Sequence, residues 1–168
     1  MANPASILRA IGLDTRPEWP QAIRRYLAGS FVVHLVWEIA QLPLYTIWTT
    51  GTVAQQAFAV LHCTIGDTMI AGLSLLIVLS VADRQTWPRG GSRGIWLALL
   101  MLGVGYTLYS EWMNVNVRRS WAYSAWMPTL PTLGVGLAPV LQWFVVPTLV
   151  LWLAIGRPPW TETGKETP

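Results

Sequence analysis

Hydrophobic residues run along this chain in four long blocks, Tyr26 to Trp48, Ala54 to Val81, Gly94 to Trp112 and Leu133 to Ile155. Each is close to or above the roughly 20 residues that a helix needs to cross a bilayer. Between them lie short stretches punctuated by Gly51, by Pro88, Gly90 and Gly91, and by Pro128 and Pro131. The pattern predicts an all-α polytopic membrane protein, a four-helix transmembrane bundle forming one domain over residues 1–160, with a disordered tail at 161–168. Ahead of the first block, Ile7, Leu8, Ile11 and Leu13 alternate with Arg9, Asp14 and Arg16 and lead to Trp19. That predicts an N-terminal interfacial segment lying on the membrane surface rather than a cleavable signal peptide.

The blocks carry their own irregularities. Pro43, Pro139 and Pro147 are expected to free the carbonyls of Ile39, Val135 and Trp143. Gly66, Gly72, Gly103 and Gly105 are expected to let helix backbones approach closely. The segment Asn114 to Thr132, with Trp121, Tyr123 and Trp126, fits aromatic packing at the headgroup level.

Charge sets the orientation. Arg9, Arg16, Arg24, Arg25, Arg84, Arg89, Arg93, Arg157 and Lys165 fall on one side of the four blocks, and Arg118 and Arg119 on the other. This bias predicts an integral plasma (inner) membrane protein with both termini cytoplasmic. It also accounts for the net charge of +3 without nucleic acid. Charged residues are 11% of the chain, less than half of the roughly 25% usual for a soluble domain. The single cysteine, Cys63, excludes an intramolecular disulfide.

Five titratable side chains interrupt the blocks: His34, Glu38, His62, Asp67 and Glu111. Ionisable groups at membrane depth are costly unless partnered, and they mark sites. Helix spacing puts His34, Glu38, Gln41 and Tyr45 on one face of the first helix, and Thr107, Glu111, Asn114 and Arg118 on one face of the third. In the second helix Cys63, Gly66 and Asp67 lie together, with His62 turned away from Asp67 by roughly 140°. Folding the first hairpin about Thr50 and Gly51 sets His34 opposite Asp67, and Gln142 of the fourth helix falls at a similar depth. The polar groups of all four helices are therefore expected in one layer, in the outer half of the bundle.

Several chemistries suit that layer. Zinc or iron would be held by His34, Glu38, His62 and Glu111, since imidazole nitrogen and carboxylate oxygen are suitable ligands. Metal-free acid–base work would use Glu38, Asp67 and Glu111, with Gln41, Asn114, Gln142 and Arg118 orienting the bound molecule. A b-type haem between His34 and His62, and a proton or cation relay through Glu38, Asp67 and Glu111, are further readings. A carrier built from four helices would require a homodimer. The bland alternative is a scaffold whose polar layer pairs helices. With four spans and His, Glu, Asn and Trp within them, the general plan resembles the small four-helix sterol-isomerase and sigma-2 receptor group. The likeness covers architecture and residue types, and it implies a membrane cavity for an apolar ligand. The favoured reading is a membrane-embedded enzyme, with or without a metal, acting on a lipid-like or apolar substrate taken from the bilayer.

Overall fold

Four long helices carry most of the chain: α1 Glu18–Gln41, α2 Val53–Val81, α3 Ser92–Trp112 and α4 Leu137–Ile155. They are seen in a computed structural model that describes residues 18–81, 87–88 and 92–156. The interfacial segment before Trp19 and the tail at 161–168 lie outside the described residues. All four helices are long and apolar enough to cross a membrane. The fold is all-α, and each helix packs on two others, α1 and α3 each lying against α2 and α4.

The bundle is apolar outside, and its interior holds polar groups among apolar ones. Val36 and Met101 are 62% and 76% exposed, whereas His34, Thr64 and Gln142 are buried. A water-soluble domain sorts its side chains the other way. This inversion, together with the four apolar helices, suggests an integral membrane protein.

Helix ends depart from the hydrophobic blocks where proline intervenes. α1 begins at Glu18, so Trp19, Arg24 and Arg25 are helical, and it stops at Gln41 rather than running on to Trp48. Pro43 lacks an N–H, and the chain closes there as a 3-10 turn over Leu42–Leu44 before a separate turn at Ile47–Thr50. Pro139 does not kink a helix as expected. It lies in the first turn of α4, where no N–H is required, and Val135 pairs instead with Leu130 in a two-residue β-ladder, Thr129–Leu130 (β1) against Val135–Gly136 (β2). Pro147 is inside α4.

The glycines also divide. A Cβ on Gly103 would fall 2.0 Å from the Trp143 ring, so this backbone touches the indole. Gly72 is similarly pressed by Leu27. Gly66 and Gly105, expected to bring backbones together, face open space instead.

The two ends of the bundle differ. At the end where α1 begins and α4 finishes, Trp19 donates its indole N–H to the Trp87 carbonyl (2.7 Å), and the two buried rings meet edge to face. Trp19 and Trp87 are thus core residues. At the other end, called the connector end below, residues 42–52 and 113–136 link the helices.

Candidate functional site

A cavity of about 930 Å³ opens at the connector end, and all four helices line it. Its polar wall includes Glu38, Gln41, Asp67, Thr107, Glu111 and Gln142, and its apolar wall includes Phe58, Ile70 and Trp143. That is a volume suited to a small or medium-sized organic molecule.

Gln142 of α4 is the hub of one wall. Its Nε2 lies 2.7 Å from His34 Nδ1, 2.8 Å from Asp67 Oδ2 and 3.2 Å from Glu38 Oε1. An amide nitrogen has two hydrogens, so these three acceptors share them, with Glu38 the most distant of the three. Glu38 is oriented further by its own helix: Gln41 donates to Glu38 (2.7 Å), and Trp37 donates to Gln41 (3.2 Å). The spacing of 37, 38 and 41 brings these three together within one turn of α1.

The opposite wall is built by α3 and the following segment. Glu111 accepts a hydrogen bond from the Tyr123 hydroxyl, which itself accepts from the Gly136 N–H at 2.9 Å. Burial and the adjacent Glu111 carboxyl push the Tyr123 phenol up, and burial does the same for Tyr45. Both phenols therefore keep their protons, as donation to Glu111 requires.

The segment holding Tyr123 caps this end of the bundle. It is clipped to the end of α1 by Thr46 N–H to Ala122 O (2.9 Å), Ser124 N–H to Leu44 O (2.9 Å) and the Ser124 hydroxyl to Pro43 O (3.1 Å). Tyr45 and Tyr123 pair as an isolated bridge with ring centroids 5.5 Å apart. Tyr123→Phe is expected to leave Glu111 and the Gly136 N–H without their partner. Stability should fall by about 1–3 kcal/mol, the cost of unsatisfied buried groups. Denaturant unfolding, and faster proteolysis within residues 118–136, would show it.

The structure brings together His34, Glu38, Asp67 and Gln142, with Gln41 beside them, and places Glu111 and Asn114 on the same cavity. It does not bring His62 to the hub. His62 is exposed and stacks on Phe58 (5.6 Å), and both line the same cavity. Asn114 donates back to the Ser110 carbonyl (2.9 Å) and not to an acid. Arg118 is exposed at the cavity edge rather than stacked over Glu111. The cause is a π turn over Met113–Val117, closed by Arg118 N–H to Met113 O (2.8 Å), which breaks the α spacing.

The expected metal set is accordingly not assembled. Among the described residues no three His, Cys, Asp or Glu side chains are grouped to hold an ion. Glu111 is engaged by Tyr123, and His62 stacks on Phe58. The haem arrangement meets the same geometry: His34 is fully buried beneath Gln142, while His62 lies on an exposed face.

Tyr123, Tyr45, Trp121 and Cys63 complete the cavity lining or its network without having been singled out for chemistry. No family model, curated protein or solved structure matches the chain.

Proposed function

We propose that this protein is a membrane-embedded acid–base enzyme acting, without a metal, on an apolar, lipid-like substrate. One observation carries the reading: two separate carboxyl centres, Glu38 with Asp67 and Glu111 with Tyr123, line one cavity that also has apolar walls. Buried carboxyls of this kind, free of cationic partners in the hub, suit proton transfer to and from a substrate that supplies no charge of its own. The centres stand on different helices, so one can remove a proton from a substrate carbon while the other delivers a proton elsewhere, as a double-bond shift requires. Gln41 and Gln142 orient Glu38 and Asp67, while Asn114 and Arg118 meet the polar end of the substrate. In this reading the cavity lies in the outer half of a plasma membrane with both termini in the cytoplasm, which the charge distribution supports.

The test uses lipid extracted from membranes, reconstituted with the purified protein in D2O. The wild type is expected to introduce deuterium into one lipid class, read by mass spectrometry. Glu38→Gln and Glu111→Gln should each slow this by about 10²–10⁴-fold, the usual contribution of a positioned acid or base. If no lipid gains deuterium above a protein-free control, the catalytic reading fails. A second reading, a scaffold without chemistry, is favoured by Gln142 joining α1, α2 and α4 in one knot. It requires Glu38→Gln to cost stability, whereas groups kept for chemistry often cost stability themselves.

A further inference from the structure

Among the described residues, six buried polar atoms have no hydrogen-bond partner: Tyr26 Oη, Ser30 Oγ, His34 Nε2, Thr64 Oγ1, Trp87 Nε1 and Trp121 Nε1. Three of them form a row. Tyr26, Ser30 and His34 follow one another at four-residue spacing, each no more than 1% exposed, and point from one face of α1. Glu38 and Gln41 continue the same stripe into the cavity. Trp87 extends the line toward the end where α1 begins, through its contact with Trp19. Ser74 is also buried, on α2 two turns beyond Asp67. Tyr26 belongs to the buried apolar cluster that includes Ala71, Leu75, Val78, Val146 and Val150.

A buried hydroxyl without a partner is expensive, and native proteins tolerate few. Helix pairing does not account for these, because their polar atoms bond to no facing helix. Their chemistry is shared instead: Tyr and Ser hydroxyls and an imidazole each donate and accept, which lets them pass hydrogen along a file. Successive members are about 6 Å apart at Cβ, a gap that side-chain reach and a single water can bridge. Tyr26 and Glu38 are separated by about 18 Å of helix, more than half of a hydrocarbon core.

We propose that Tyr26, Ser30 and His34 form a proton path from the terminal end of the bundle to the Glu38 and Asp67 carboxyls, and through the cavity to the other side. His34 is its turning point. Nδ1 lies 3.7 Å from Asp67 Oδ2, and Nε2, across the ring, is turned from that hub. With Nδ1 accepting from Gln142, the neutral imidazole carries its hydrogen on Nε2; it passes that hydrogen to the Ser30 side and takes its replacement on Nδ1 from the Asp67 carboxyl. A turn of the ring restores the starting tautomer, and no electrons move. The groups facing this ring are Glu38 of α1, Asp67 of α2, and Gln142 and Trp143 of α4. The path reaches the carboxyls whether or not they act on a substrate, so this inference goes beyond the catalytic reading and is measured separately from it.

The experiment reconstitutes the full chain in liposomes of phosphatidylcholine and phosphatidylglycerol holding a pH-sensitive dye. A potassium gradient with valinomycin then drives protons inward. Wild-type liposomes are expected to acidify faster than protein-free ones. Ser30→Val, and independently Tyr26→Phe, which deletes only a hydroxyl, should lower the rate to the protein-free level, while Ser30→Thr should keep it. Wild-type flux no faster than that of empty liposomes would overturn the proposal, as would Ser30→Val and Tyr26→Phe both conducting like the wild type. Lipid deuteration by the same preparations shows independently whether the carboxyl chemistry stands.

Discussion

Gly103→Ala is expected to destabilise the bundle at or beyond the top of the roughly 1–3 kcal/mol range for overpacking a core. The added methyl would sit 2.0 Å from Cε3 and 2.4 Å from Cδ2 of Trp143. These are atoms of a rigid, 1%-exposed ring, not the tip of a flexible side chain. The ring cannot yield freely, because its other neighbours include His34, with centroids 5.4 Å apart. Moving Trp143 would disturb the cavity wall and the hub together. Unfolding of the purified protein in detergent measures the loss. Trp143→Leu in the same chain should recover part of it, giving a coupling energy of the sign that contact demands. A cost below about 0.5 kcal/mol, the ordinary scatter of surface substitutions, would mean that α3 and α4 do not meet there.

Gln142→Leu carries the second large effect. The leucine would strip His34, Asp67 and Glu38 of their common amide while adding apolar surface beside them. Each buried polar group left short costs about 1–3 kcal/mol, so a loss of several is expected. Replacing His34 and Asp67 by leucine as well should return some of that stability, since removing all partners can be nearly neutral. Thermal unfolding of the single and combined variants decides it. A single variant as stable as the wild type would show that the amide is not the hub.

Much of this arrangement was legible in the residues. Period-3.6 spacing put His34, Glu38 and Gln41 on one face, and the hairpin's length set His34 against Asp67, now 3.7 Å apart. Gln142 followed from helix length alone. The inner stripe was harder to read: Tyr26 and Ser30 are ordinary residues in a membrane helix until burial shows that they face inward. Other features depended on local backbone form. The π turn at Met113–Val117 removed Arg118 from its expected row, and a β-ladder absorbed the start of the fourth block. Tyr123 reaches Glu111 only because its segment folds back onto residues 43–46. Such a contact leaves no periodic trace, since it depends on how a loop of mixed aromatics and prolines closes.

The position of the opening sets the rules of access. Phe58 and Tyr106 line the cavity and are at once 70% and 48% exposed on the flank of the bundle, where Gly66 puts nothing in the way. In the proposed function the substrate arrives sideways, after dissolving among the lipids. Occupancy would then track its mole fraction in the membrane phase, set by partitioning, and diluting the surrounding buffer would leave a strongly oil-soluble molecule in place.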